Sequence, residues 1–228
     1  MPDPFDRSAP RPELRYGTAQ YRLARRSTIL QGGVRDNRTA PRFQSPTVFR
    51  SAFFRRPPLE IESLIRAIPD FPIPGILFRD ITPVLKDRAG FKAAVDLFVD
   101  RFRDEKLDYV VAMEARGYML GAPLAYILGA GFVPVRKPGK LPGSKHVEEY
   151  ALEYGTNSLE IHDDAIARGE RVLVVDDLLA TGGTAAATGR LLAKLGAEVI
   201  GYAFLIELAA LGGREALPGA AVTSFITY

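Results

Sequence analysis

The 228-residue sequence contains no cysteine, no tryptophan and only two histidines. Without cysteine, the chain cannot form a disulfide scaffold, a cysteine-ligated zinc site or a cysteine nucleophile. The histidines, His146 and His162, are too far apart in sequence to form a metal-binding pair on one helix. No apolar run reaches the roughly 18 residues that a membrane-spanning helix needs. What remains is the composition of an ordinary globular protein, with 47% hydrophobic and 25% charged residues.

Lysine is also absent from the first 58 residues, which hold 12 arginines against four acidic residues, a net charge of +8. This proline-rich segment shows no helical or strand period, so we expect a mostly disordered leader over 1–58 and a separate domain over 59–228. The domain carries a net charge of −5, so the basic excess belongs to the leader and does not argue for nucleic-acid binding by the whole chain. Four interpretations of the leader stay open: a dispensable tail, a basic arm that contacts nucleic acid or membrane, a transit peptide and a structured element.

Regular hydrophobic patterns begin near Leu59 and alternate between helical and strand periods. Such alternation, with nearly continuous apolar strands, predicts a mostly parallel sheet covered by helices on both faces. The period predicts helices over 59–68, 87–105, 119–128 and 185–195, strands over 109–113, 131–135, 171–177 and 198–208, a hairpin over 151–162 and an edge strand over 221–228. The segment 136–150 has no period and is predicted to be a long loop of the kind that often covers an active site.

The string VLVVDDLLATGGT, residues 172–184, combines features that suit a phosphorylated sugar. A strand ends in two carboxylates, Asp176 and Asp177, and a glycine-rich turn over 181–184 then leads into a helix. Helix N-termini bind phosphate, and carboxylates accept hydrogen bonds from sugar hydroxyls. No lysine follows the glycines, so the turn is not a nucleotide-binding P-loop. The alternative is an ordinary helix start beside two solvated acids.

This string resembles the phosphoribosyl-pyrophosphate (PRPP) signature of the type I phosphoribosyltransferases. Four further segments resemble the adenine phosphoribosyltransferases of that family and occur in the expected order: PDFPIPGILFRDITPVLKD (69–87), EARGYMLGAPLA (114–125), VPVRKPGKLPG (133–143) and LEYGTNSLEIH (152–162). The resemblance covers 59–228 and not the leader. It implies the type I phosphoribosyltransferase fold, a mostly parallel central sheet flanked by helices, with a small N-terminal hood and a flexible lid loop over about 137–150.

The resemblance also implies roles for single residues around PRPP. Asp176 and Asp177 would hold the ribose hydroxyls. The 5-phosphate would be bound by the turn that follows them, Ala180, Thr181, Gly182, Gly183 and Thr184. Arg116 would contact the pyrophosphate, directly after an expected cis peptide bond between Glu114 and Ala115. Further positive charge would come from Arg136, Lys137 and Lys140, for which the alternative is a solvated basic loop.

For the base, the resemblance points to Leu77, Phe78 and Arg79. Phe78 would stack on the purine, and backbone groups near Leu77 and Arg79 would recognise its edge. The alternative for Phe78 is a core aromatic residue. Glu153 would be the catalytic residue, an acid or base that acts on the adenine ring; the alternative is a strand glutamate in solvent.

The implied reaction is purine salvage, in which adenine and PRPP give AMP and pyrophosphate through an oxocarbenium-like transition state. Mg²⁺ would be bound mainly through oxygens of PRPP and pyrophosphate, without a dedicated protein metal site. The resemblance further suggests a homodimer that acts on small molecules. The lack of cysteine and of a targeting signal in the domain favours the cytoplasm, and neither a membrane nor a nucleic acid is expected as a partner. Two alternatives remain: transfer to a 6-oxopurine, and a regulatory protein that senses PRPP without turnover.

Overall fold

The computed structural model describes residues 60–152 and 155–228. The leader predicted over 1–58 lies outside these residues. Of the helices in the described part, none is both long enough and apolar enough to cross a membrane. The helices are α1 (Thr82–Lys86), α2 (Arg88–Phe102), α3 (Arg116–Leu128) and α4 (Gly183–Leu195), and the strands are β1 (Arg66–Pro69), β2 (Leu77–Asp80), β3 (Tyr109–Met113), β4 (Gly131–Val135), β5 (Lys145–Leu152), β6 (Gly155–His162), β7 (Arg171–Leu179), β8 (Glu198–Glu207) and β9 (Val222–Thr227).

The centre of the fold is a five-stranded sheet with the order β4-β3-β7-β8-β9, in which every neighbouring pair is parallel. The prediction of a parallel sheet is therefore confirmed, including the position of β9 at an edge. β7 lies in the middle of the sheet, so its carboxyl end opens between the ends of β3 and β8. Ligands of open α/β sheets bind at this edge.

Side chains of β7 alternate between two hydrophobic clusters. Val172 and Val174 pack in the cluster that contains α4 and the β5–β6 hairpin. Leu173 and Val175 pack in the cluster that contains α2 and α3. All four valine and leucine side chains are fully buried. A strand that is covered on both faces needs apolar residues at every position, which explains the continuous apolar run of this segment.

The helix predicted over 59–68 is wrong. The segment instead forms a 3₁₀ turn over Ile61–Leu64 and then the strand β1, which pairs antiparallel with β2. A ten-residue helix is marginal by its own propensity, and the β-branched residues before Pro69 gain backbone hydrogen bonds from β2 instead. We call this two-stranded sheet of β1 and β2 the hood.

The long loop predicted over 136–150 is shorter than expected, because β5 begins at Lys145. Its register with β6 runs from the pair Lys145 and His162 to the pair Leu152 and Gly155. The sequence of β5 mixes charged and apolar residues on both faces, which conceals its period. Pairing with β6 supplies the backbone hydrogen bonds that the local pattern does not reveal.

The packing predicts a large stability difference between two positions of α2. Phe98 is fully buried and its ring lies 4.7 Å from that of Phe225 on β9, whereas Lys92 is exposed and, among the described residues, pairs with Asp96 alone. We expect Phe98→Ala to lower the free energy of unfolding by about 3–5 kcal/mol, and Lys92→Ala by less than about 1 kcal/mol. Urea denaturation followed by circular dichroism measures both. Equal losses would show that α2 does not pack as described.

Candidate active site

Two cavities open at the carboxyl end of β7 and share one wall. The smaller, of about 210 Å³, is lined mainly by the segment from the end of β7 to the first turn of α4. The larger, of about 410 Å³, lies against the segment between β3 and α3 and against the β5–β6 hairpin. The residues that line both are Arg116, Asp176, Asp177 and Thr184. The site can therefore accommodate an elongated ligand that lies across the acidic pair.

The two carboxylates at this shared wall are incompletely compensated. Asp177 is buried, and the Nε atom of Arg116 lies 2.7 Å from its Oδ2 atom. Within the described residues, however, no donor reaches this oxygen with hydrogen-bonding geometry. Burial raises the pKa of both carboxyls, and the charge of Asp177 raises the pKa of Asp176 further. Such a pair suits a ligand that brings hydroxyl donors.

Arg116 reaches Asp177 because α3 begins very close to β7. A Cβ atom at Gly117 would lie 2.8 Å from the Oδ1 atom of Asp176 and 3.0 Å from the carbonyl oxygen of Val175. Only glycine fits at this approach. The peptide bond between Glu114 and Ala115, directly before α3, is cis, which confirms the expectation from the sequence.

The turn before α4 brings a helix N-terminus to the smaller cavity. Gly182, the N-cap residue, has a φ of 81°, and α4 then runs for 13 residues. A Cβ atom at Gly182 would lie 2.3 Å from the carbonyl oxygen of Gly213, so a larger residue cannot be accommodated without a shift of the backbone. The unpaired N–H groups and the positive end of the helix dipole favour an anion here. The predicted residues Ala180, Thr181, Gly182, Gly183 and Thr184 all line the smaller cavity.

The predicted basic residues Arg136, Lys137 and Lys140 differ in whether they line the larger cavity. Lys137 lines it, whereas Lys140 is exposed and its carbonyl oxygen accepts a weak hydrogen bond from Arg136. The Nε atom of Arg136 lies 2.6 Å from Oε2 of Glu114. Burial alone would raise the pKa of Glu114, but the hydrogen bond and charge of Arg136 outweigh it and hold the pKa below its ordinary value. Arg136 is thus already paired in this structure.

The predicted base-recognition residues, Leu77, Phe78 and Arg79, lie on β2 of the hood and line neither cavity. The ring of Phe78 is the link to the cavities, because the guanidinium of Arg116 lies 5.4 Å from its centre. The guanidinium of Arg79 stacks on the ring of Tyr228 at 3.6 Å. The hood is thereby held at the mouth of the site by cation–π contacts on both sides.

The resemblance places Glu114 in the segment that would contact the pyrophosphate, and in the structure Glu114 directly follows β3 and lines the larger cavity. Other residues near the site were not identified from the sequence. Tyr228 carries no local signal, because its contact with Arg79 is purely tertiary. The other side chains that line the larger cavity without having been predicted are Tyr150, Asn157 and Leu159.

Glu160 anchors the loop that carries the basic residues. Its buried carboxylate accepts hydrogen bonds from the backbone N–H of Gly139 at 3.2 Å and from Nζ of Lys145 at 3.0 Å. Its backbone also pairs in both directions with that of Arg136. The loop that contains Lys137 therefore has fixed ends.

The β5–β6 hairpin is attached to α4 by an ionic contact. The carboxylate of Glu148 accepts from Nε of Arg190 at 2.5 Å and lies 2.6 Å from Nζ of Lys194. The hydrogen bonds from Lys194 and Arg190 hold the pKa of Glu148 below its ordinary value. Glu153, the predicted catalytic residue, lies outside the described residues; β5 ends at Leu152 and β6 begins at Gly155.

No cluster of three or more histidine, cysteine, aspartate or glutamate side chains able to hold a metal ion occurs among residues 60–152 and 155–228. Asp176 and Asp177 are the two carboxylates that line both cavities. Oxygen ligands with retained waters suit Mg²⁺.

Comparison with known proteins identifies relatives over the described domain. Residues 81–217 match the phosphoribosyl transferase domain family. An adenine phosphoribosyltransferase of Acaryochloris marina is 58% identical over 170 residues, which are 75% of this chain and all of that protein. The crystal structure of an adenine phosphoribosyltransferase from Thermoanaerobacter pseudethanolicus superposes with a TM-score of 0.73 at 54% identity, over 74% of this chain and 98% of that one. The Saccharomyces cerevisiae enzyme, solved in complex with an imino-altritol bisphosphate and adenine, has a TM-score of 0.70 at 42% identity, over 73% and 96%.

The contact between the hairpin and α4 predicts a pH-dependent local opening. Because the pKa of Glu148 is lowered, its contribution is complete above the ordinary value of 4.5 and is lost as the pH falls through the lowered value. At neutral pH, Glu148→Gln should speed hydrogen exchange of the hairpin amides about two- to fivefold.

The neighbouring Glu149→Gln is a matched control, because Glu149 is exposed on the same strand. Hydrogen exchange measured by mass spectrometry at several pH values separates the two variants. Equal exchange in both would contradict the proposed anchoring role of Glu148.

Proposed function

We propose that this chain, which belongs to the adenine phosphoribosyltransferase family, transfers the phosphoribosyl group of PRPP to adenine, with AMP and pyrophosphate as products in purine salvage. The observation that carries the proposal is that two cavities meet at one acidic pair. PRPP has the matching order of groups: a 5-phosphate at one end, a pyrophosphate at the other and two free ribose hydroxyls between them.

The 5-phosphate belongs in the smaller cavity, where the N-terminus of α4 supplies N–H donors. The ribose hydroxyls then donate to Asp176 and Asp177, and this gives the buried Oδ2 atom of Asp177 the hydrogen bond that it lacks within the described residues. The pyrophosphate belongs in the larger cavity beside Lys137 and the first turn of α3. PRPP would thereby supply an anionic group to each cavity and hydroxyl donors to the acidic pair.

Arg116 has two successive partners in this account. In the structure its guanidinium compensates Asp177 and lies over the ring of Phe78. Ribose hydroxyls would replace it at Asp177, and the cation would then be free to contact the pyrophosphate. The same movement would open the face of Phe78 to the purine, so binding of PRPP would prepare the base site.

In the reaction, the bond between the anomeric carbon and the pyrophosphate oxygen breaks and a bond from N9 of adenine forms. Positive charge develops on the ribose ring while negative charge develops on the leaving group. The protein holds both substrates in line and stabilises the departing anion with Arg116, Arg136 and Lys137, with Lys140 nearby on the same loop. Glu153 is proposed to hold or move a proton on the adenine ring.

Adenine is proposed to bind against the hood. Phe78 would stack on the ring, and backbone groups of Leu77 and Arg79 would recognise its edge. Support comes from the position of Phe78, whose ring lies 5.1 Å from that of Phe71 in an edge-to-face arrangement and 5.4 Å from the guanidinium of Arg116. The contact with Phe71 positions the ring, and departure of Arg116 would leave its face open for stacking.

Phosphoribosyltransferases generally use Mg²⁺ with PRPP, and the donor set here fits that ion. The carboxylates of Asp176 and Asp177 are hard oxygen groups that would face the hydration shell of the ion, with PRPP and pyrophosphate supplying most of its coordination. When bound, the ion would neutralise charge on the leaving group.

We also propose a homodimer in the cytoplasm, and a catalytic domain confined to 59–228. The exposed Tyr126 and Ile127 on α3 support a subunit contact, because such apolar surface is often covered by a partner. The family match over residues 81–217 supports the domain boundary. Sedimentation of the full chain measures the oligomeric state directly.

The proposal is tested by pyrophosphate release from PRPP and Mg²⁺ with adenine, hypoxanthine, guanine and xanthine in turn. We expect turnover with adenine alone, both by the full chain and by a truncated chain that begins at Leu59. Turnover with a 6-oxopurine would contradict the assignment of the base site to β2. Tight binding of PRPP without turnover on any base would indicate a regulatory protein.

The proposed role of the acidic pair predicts that a single isosteric substitution strongly lowers kcat/KM for PRPP. Asp177→Asn removes the charge that accepts from the ribose and should lower kcat/KM for PRPP by about 100-fold. Asp164→Asn, at an exposed position before β7, should leave it unchanged. Steady-state kinetics with saturating adenine measures both. An unchanged kcat/KM in the Asp177 variant would contradict the assigned ribose site.

The proposed position of adenine on the hood predicts a separate effect on KM for adenine. Phe78→Leu keeps an apolar side chain but loses the stacking face, so KM for adenine should rise about three- to tenfold while KM for PRPP stays constant. Kinetics in which one substrate is varied at saturation of the other measures the two constants. A rise in KM for PRPP alone would contradict stacking of Phe78 on the base.

A further inference from the structure

The phosphate-binding turn rests on a second loop that the sequence did not indicate. The carbonyl oxygen of Gly213 lies against Gly182, where a Cβ atom would be 2.3 Å away. In the opposite direction, a Cβ atom on Gly213 would lie 2.2 Å from the carbonyl oxygen of Ala180. The two backbones are therefore in direct contact, and a shift of the 3₁₀ turn Gly213–Ala216 must move the phosphate-binding turn as well.

A bidentate ion pair holds this second loop in place. The Nε and Nη2 atoms of Arg214 donate to Oε1 and Oε2 of Glu207 at 2.7 and 2.6 Å. Glu207 is buried at the end of β8, and Nη1 of Arg214 also donates to the carbonyl oxygen of Val222 on β9 at 3.0 Å. Planar bidentate pairing fixes the direction of the arginine as well as its distance.

The start of the loop is tied to the central strand, β7. The N–H of Leu208, directly after β8, donates to the carbonyl oxygen of Leu179 at the end of β7. Arg214 itself lines neither cavity. Its influence on a ligand must therefore pass through Gly213 to Gly182, and not through contact with the ligand.

We propose that Arg214 is a positioning residue for the 5-phosphate: its pairing with Glu207 sets the position of Gly213, and Gly213 sets that of the phosphate-binding turn. This inference rests on the proposed function, because it assigns the 5-phosphate to that turn. The inference predicts different effects on the two ends of PRPP. The pyrophosphate end is proposed to contact α3 and the loop before β5, and neither of these rests on Gly213.

The test compares two variants that each alter an arginine–glutamate ion pair, one at either end of the sheet: bidentate for Arg214 and single for Arg171. Arg214→Lys keeps the charge but cannot form the bidentate pair. Arg171→Lys is the matched control, because Arg171 pairs with Glu198 at 2.5 Å where β7 and β8 begin, away from both cavities. In each full-length protein, calorimetry measures the dissociation constants of ribose 5-phosphate and of pyrophosphate with Mg²⁺, and thermal unfolding measures stability.

We expect Arg214→Lys to weaken ribose 5-phosphate about tenfold and pyrophosphate less than twofold, and Arg171→Lys to change neither constant. Gly213→Ala, which places a methyl group against Ala180, should weaken ribose 5-phosphate at least as much. Unchanged binding of ribose 5-phosphate by a folded Arg214 variant, or equal weakening of both ligands, would overturn the inference. Failure of the unsubstituted protein to bind either ligand would overturn the proposed function itself, and this inference with it.

Discussion

Two adjacent carboxylates, Asp176 and Asp177, lie where the central strand of the sheet ends, and Asp177 is buried. A buried anionic pair has to be compensated by a cation, a proton or hydroxyl donors, and in this structure Arg116 supplies the cation. The close start of α3 at Gly117 brings Arg116 there, and the same guanidinium contacts Phe78 of the hood. Arg116 thereby connects the charge of the acidic pair to the hood, where adenine is proposed to bind.

The remaining parts of the site are arranged around this pair by backbone contacts. Gly182 brings the start of α4 to one side, and its conformation is maintained by Gly213 behind it. On the other side, Glu160 fixes the loop that carries Lys137, and Glu148 attaches the hairpin to α4. Glu160 and Glu148 are carboxylates paired with lysine, arginine or a backbone N–H, so this loop and the hairpin are positioned by charge, whereas the sheet beneath them is held by apolar packing.

The sequence predicted the parts of this arrangement that have local signals. The apolar run of β7, the acidic pair and the glycine turn occur within 13 consecutive residues, so strand, turn and helix could be read together, and the sheet is confirmed as parallel. The segment of β1 was predicted as part of a helix, because its pairing with β2 is a contact that neither segment reveals alone. The pairing of Arg214 with Glu207 and the stacking of Tyr228 on Arg79 are tertiary contacts between segments that are separate in the sequence. A local hydrophobic period cannot predict such contacts.

The most direct measurement is a crystal structure of the full chain with AMP bound. The account predicts the 5-phosphate at the turn Ala180–Thr184, the ribose hydroxyls on Asp176 and Asp177, and adenine on the ring of Phe78. It also predicts that Nε of Arg116 has left Oδ2 of Asp177, from which it lies 2.7 Å in the present structure. AMP bound with its phosphate in the larger cavity, or with Arg116 still paired to Asp177 and the ribose hydroxyls in solvent, would contradict the account.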